Sequence, residues 1–158
     1  MKTIRFTFAA VGLLLFSLAA SAQTTAPALS AYYSVKDALV ATDAPKAKSG
    51  ATALVTALGK VDAARLSAID KKNLATAKAR AATISRTNNV DAQRTQFEAL
   101  STSMIALAKA TKPAKTYVQY CPMAAEGKGA FWLSDKREVR NPYYGDKMLK
   151  CGSVKEEI

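Results

Sequence analysis

The chain predicts an all-α fold, an antiparallel four-helix bundle with a C-terminal, loop-rich Cys/Met segment packed on it. Three observations carry that expectation. Apolar residues recur at helical spacing in four successive stretches from Leu29 to Ala108. Breaks at 42–45, near 60–63 and at 87–89 keep the connections short. Composition then changes near Pro113. Residues 113–158 hold six of the nine aromatics that follow residue 22, four of the six glycines and both cysteines.

The first helix carries Leu29, Tyr32, Val35 and Leu39 on one stripe, widened by Tyr33 and Val40. Thr42-Asp43-Ala44-Pro45 reads as a stop and restart. Asp43 is a suitable N-cap, and proline is tolerated in the first turn. The second stripe is Ala47, Ala51, Leu54, Leu58 and Val61. The third helix is expected from about Ala63 to Ser85, with Leu66, Ile69, Asn73, Ala77 and Ile84 inward. Thr87-Asn88-Asn89 is a polar break. The fourth helix, about Asp91 to Ala110, carries Phe97, Leu100, Met104, Leu107 and Ala108, with Met104 as core filling. The many alanines permit close helix approach.

Beyond Pro113, Lys115 to Cys121 alternates and predicts a short strand or extended segment. Gly127-Lys128-Gly129 reads as a flexible turn, and Asn141-Pro142-Tyr143-Tyr144-Gly145 as another. Asp146 to Lys150 suits one helical turn, stopped by Gly152. Phe131-Trp132-Leu133 and Tyr143-Tyr144 are read as packing residues. They attach a segment too small to fold alone.

The N-terminus reads as a signal peptide, residues 1–22. Lys2 and Arg5 precede an apolar run from Phe6 to Ala20, and Ala20-Ser21-Ala22 fits a cleavage site before Gln23. Residues 23–158 are then a single exported domain, with the helical bundle at 24–112 and the Cys/Met segment at 113–158. The expected location is periplasmic or secreted, soluble, with no membrane span. The net charge of +11 falls to +9 once the two leader cations are gone. Export and the lack of basic runs interleaved with aromatics argue against nucleic acid. A solvated basic surface is the simplest reading, and attraction to an anionic envelope surface the alternative. Histidine is absent, which removes His-based acid–base and triad chemistry and His metal ligands. No motif locates a catalytic pair, so a non-enzymatic protein is expected.

The chemistry-bearing residues are four sulfurs in two short pairs, Cys121 with Met123 and Met148 with Cys151. Residues two apart share a face of an extended segment, and residues three apart share a face of a helical turn. Two converging pairs would give two thiols and two thioethers, a donor set that suits Cu(I) or Ag(I). The same two cysteines in an exported chain also suit a structural Cys121–Cys151 disulfide. Both readings stand on spacing alone.

The series Tyr120-Cys121-Pro122-Met123-Ala124, Gly129-Ala130-Phe131-Trp132-Leu133-Ser134, Asn141-Pro142-Tyr143-Tyr144-Gly145, Met148-Leu149 and Cys151-Gly152 resembles a bacterial exported domain-of-unknown-function family. The resemblance extends to Tyr32-Tyr33-Ser34-Val35-Lys36-Asp37-Ala38-Leu39 in the first helix. That family also occurs fused to the C-terminus of periplasmic adaptor subunits of copper/silver efflux pumps. The resemblance implies a helical exported domain linked to heavy-metal handling, with an efflux adaptor as partner and Cys121, Met123, Met148 and Cys151 as ligands. Some relatives carry histidine where this chain has Tyr120, which removes that position from the ligand set. With the resemblance, metal binding becomes the leading reading.

Overall fold

A computed structural model describes the backbone of residues 12–158 and the side chains of residues 25–158. The leader reading falls on residues 1–11, outside the described residues, and on the start of the first helix. The described elements are α1 (Gly12–Val40), α2 (Ala44–Gly59), α3 (Ala68–Ile84) and α4 (Val90–Thr111). They are followed by β1 (Tyr117–Cys121), β2 (Ala130–Ser134) and β3 (Ser153–Glu157). Two 3₁₀ turns occur at Ala63–Arg65 and Gly145–Met148. No described helix is long and apolar enough to cross a membrane.

The all-α expectation is corrected here: the fold is mixed α/β. The four helices are consistent with a bundle. The C-terminal segment, expected to be loop-rich, contains a three-stranded antiparallel sheet of order β2-β1-β3. β1 was foreseen as an extended segment. β2 is a five-residue run with four buried positions, so it lacks the alternation that marks a half-exposed strand. β3 is Ser-Val-Lys-Glu-Glu, and nothing in that charged run announces a strand. Its pairing comes from its partners. Thr116 and Ile158 exchange backbone hydrogen bonds at 2.8 and 2.9 Å. Lys109–Glu156 and Lys115–Glu157 ion pairs lie along the strand.

Capping explains the helix starts. Asp43, Ser67 and Asn89 each accept a hydrogen bond from a backbone N–H of the first turn of α2, α3 and α4. The stripes of α1, α2 and α4 are buried as the periodicity requires. α3 departs from expectation. Its inward residues are Leu74, Ala77, Ala81 and Ile84, and Ile69 is 75% exposed. The 3₁₀ turn at Ala63–Arg65 and the Ser67 cap restart the helix at Ala68, so Leu66 lies outside it; of the expected stripe Ala77 and Ile84 are buried, Leu66 and Asn73 are half-buried, and Ile69 faces solvent.

The sheet packs on α4 and α1. Tyr32 of α1 makes the junction. Its ring is fully buried and stacks on Phe97 at 5.2 Å between centroids. Its hydroxyl shares a 2.7 Å hydrogen bond with Ser101 of α4 and accepts the Leu133 N–H of β2 at 3.1 Å. The ring series continues from Phe97 to Tyr143 and from Tyr143 to Trp132. Lys36, itself buried, bridges Asp37 and Asp135 and ties α1 to the chain just after β2.

Two outcomes are expected. Tyr32→Phe keeps the ring but leaves the buried Leu133 N–H without its acceptor, so urea denaturation should show a loss of about 1–3 kcal/mol. An unchanged midpoint would refute the junction role. Burial also holds the phenols of Tyr32 and Tyr143 above their ordinary value and pushes Tyr33 up to about 12. Folding therefore favours the protonated phenol. That stabilisation is complete below about pH 10, where free tyrosine ionises, and is lost as pH rises through the folded values. Denaturation midpoints should hold to about pH 10 and then fall, in step with tyrosinate absorbance.

Candidate functional site

β1 is the central strand, so residues at its end meet neighbours on both sides. Cys121 closes β1 opposite Ala130 of β2. On the other side Tyr120 pairs with Ser153 of β3, which carries Cys151 alongside Cys121. The two thiols, thirty residues apart, lie 2.7 Å from each other. Both are free cysteines; Cys121 is fully buried and Cys151 half-buried. The contact is closer than unbonded heavy atoms usually settle, about 3.5–4.0 Å for carbon.

Gly152 permits this approach. Its φ is +139°, and a Cβ there would lie 2.8 Å from the Tyr120 carbonyl oxygen and 3.0 Å from the Trp132 ring. A side chain at 152 would push Cys151 away from β1.

The methionines are placed less uniformly. Met148 ends the 3₁₀ turn, is half-buried, and its carbonyl accepts the Cys151 N–H at 3.0 Å. The backbone N–H of Met123 donates toward the Cys151 sulfur. The Met123 carbonyl accepts the Tyr144 hydroxyl at 2.5 Å, while its side chain is 52% exposed. The fold thus brings the two cysteines into contact and sets a backbone group of each methionine against Cys151. The Met123 thioether stands toward solvent. Among the described residues, no three His, Cys, Asp or Glu side chains gather as a cation site.

Asn141 is the residue that sequence reasoning missed. Asn-Pro was read only as a turn. The side chain is fully buried and every polar group of the residue is used. Its Nδ2 donates to the Cys151 carbonyl at 3.0 Å, and its Oδ1 accepts the Tyr143 N–H at 2.8 Å. Its backbone N–H donates to Leu149 at 2.8 Å, and its carbonyl accepts from Gly145. The Asn-Pro-Tyr spacing carried the hint, since an asparagine that accepts from the second residue onward forms an Asx turn. The bond across the loop to Cys151 had no local signal.

The hydrogen bond to Cys121 raises the Cys151 thiol above the ordinary cysteine value, with burial and the Cys121 charge adding to it. The Met123 N–H opposes the shift. Cys151 therefore rests as a thiol at neutral pH rather than as a reactive thiolate.

Residues 28–116 match a family described as a protein of unknown function, DUF3347. The match covers more than half of the chain. The chain belongs to this family. The DUF3347 region runs from α1 through α4 and stops just before β1, so the sulfur site lies beyond it. No curated protein and no solved structure matches the chain.

Asn141→Ala should expose the site without touching a sulfur. The Cys151 carbonyl and Tyr143 N–H lose their partner, at a cost of about 1–3 kcal/mol. Alkylation of Cys151 in the reduced protein should accelerate about tenfold or more, as local opening of roughly 1.4 kcal/mol would allow. An unchanged alkylation rate would show that the asparagine does not hold the loop.

Proposed function

We propose that this protein is a non-enzymatic, exported binder of Cu(I), with Ag(I) as a substitute, that buffers the ion or carries it to an efflux adaptor. The observation that carries the reading is the contact of Cys121 with Cys151, flanked by Met123 and Met148. Cys121 and Cys151 supply thiolates, and Met123 and Met148 supply thioethers. This all-sulfur set suits a soft monovalent ion and does not suit Ca²⁺ or Mg²⁺, which take oxygen. The chain also lacks histidine, which most borderline metals use.

Binding replaces the thiol–thiol hydrogen bond and releases the thiol protons, so affinity rises with pH. The raised Cys151 pKa carries that dependence further up in pH. The exposed Met123 thioether suits a first contact for an incoming ion. Two thiolates sharing one ion stand farther apart than 2.7 Å, so the pair must open to accept it.

That short separation favours a second reading, an envelope interaction module closed by a Cys121–Cys151 disulfide. Closing a loop of about thirty residues stabilises a fold by roughly 3–4 kcal/mol on the chain-entropy model. The two readings are alternative redox states of one pair, because a disulfide offers no thiolate to a metal.

Anaerobic competition between reduced protein and a Cu(I) chelator separates them. Tight binding is expected, with quenching of Trp132, whose ring packs beside Gly152. Cys121→Ser and Cys151→Ser should each lose it, and Met123→Leu should weaken it less. If the serine variants bind as well as the parent, the sulfur site is wrong. If protein from the envelope has no titratable thiol and loses several kcal/mol on reduction, the disulfide is the working state.

A further inference from the structure

The charge of this protein is not spread evenly. Residues 43–86, which form α2, the 3₁₀ turn and α3, hold nine lysines and arginines against three aspartates. The rest of the chain from residue 25 holds twelve basic against nine acidic side chains. Two-thirds of the excess charge therefore lies in under a third of the chain. The three aspartates of this stretch are all engaged locally. Asp43 caps α2 and pairs with Lys46; Asp62 caps the 3₁₀ turn and pairs with Arg65; Asp70 pairs with the Ser67 cap. Among the described residues, no carboxylate lies within ion-pair distance of Lys60, Lys71, Lys72, Lys78, Arg80 or Arg86.

Position adds direction. The sheet packs on α4 and α1, so α2 and α3 form the side of the bundle turned away from the sulfur pair. Ile69, at 75% the most exposed large apolar side chain among the described residues, sits at the start of α3 beside Lys71 and Lys72.

We propose that the α2–α3 face docks this protein on an anionic lipid surface, with Ile69 inserting among the headgroups and the sulfur pair facing outward. An acidic protein with a defined epitope would call for a shaped, desolvated pocket with anchoring arginine or aromatic groups. This face instead spreads its six lysines and three arginines along two helices, with one exposed aliphatic side chain among them. Such a surface suits a fluid layer of anionic headgroups, where each basic residue near the surface adds its share without fixed geometry. The attraction is screened within a Debye length, about 10 Å at 0.1 M salt, which makes it reversible.

The test is co-sedimentation of the chain, in the form its host cells process, with vesicles of mixed phosphatidylglycerol and phosphatidylcholine. Pure phosphatidylcholine vesicles are the reference. Binding should require the anionic lipid and disappear as salt is raised toward about 1 M. The double variant Lys71→Glu/Lys72→Glu should bind at least about tenfold more weakly. Ile69→Ser should weaken binding about tenfold without changing the salt slope. Lys136→Glu/Lys147→Glu, an equal charge change on exposed residues of the sheet side, should have far less effect. Circular dichroism checks that each variant is folded. Equal loss in both double variants would leave only non-directional net charge and overturn the proposal. So would equal binding to phosphatidylcholine, an inert Ile69→Ser, or retention on heparin without vesicle binding.

Discussion

The Tyr32 hydroxyl is the point on which the two halves of this protein turn. A three-stranded sheet of five-residue strands is small and needs a covered apolar face. It is stable because one face rests on α1 and α4. Tyr32 satisfies Ser101 and the β2 backbone from a fully dehydrated position, and its ring begins the stack that reaches Tyr143 and Trp132. A hydroxyl buried there without both partners would destabilise the junction, so helix positions and strand position are set together.

The sulfur contact follows from that docking at one remove. β2 is held by the bundle, β1 by β2, and β3 by β1. Only when the last ladder forms does Cys151 meet Cys121. The final approach then depends on two local devices, the positive φ of Gly152 and the hydrogen bonds of Asn141. The chemistry of the site is thus a product of long-range pairing, although the residues that supply it sit in short motifs.

This explains which parts were legible in the sequence. The helices of α1, α2 and α4 were, because Leu29, Leu54 and Phe97 lie on stripes whose period is local, and the starts of α2 and α4 carry caps. α3 was legible as a helix, and Ala77 and Ile84 of its stripe are buried; its start was not legible, because a 3₁₀ turn separates Leu66 from the helix and Ile69 is left in solvent. β2 and β3 were not legible. Trp132 and Leu133 read as generic packing because consecutive residues of β2 are buried, and Ser153 to Glu157 carries no strand signal of its own. Cys121, Met123, Met148 and Cys151 could be named from residue type. Their convergence could not, since the β1–β3 register sets it and includes an irregularity between Val118 and Gln119. Asn141 was invisible as a site residue because its decisive partner lies ten residues away in a loop.

The two cysteines are mechanically unequal, and this decides how the pair can change state. Cys121 belongs to a strand paired on both sides and is buried. Moving it would disturb two ladders and the Trp132 packing beneath them. Cys151 is half-buried, precedes β3, and is held by its carbonyl to Asn141, its N–H to Met148 and its sulfur to Met123. Either outcome of the site requires displacement from the 2.7 Å contact, inward for a disulfide or outward around a metal ion. The cheaper displacement is that of Cys151, with the 141–152 loop absorbing it. The bundle, with its family match and basic outer face, therefore need not move when the sulfur chemistry changes.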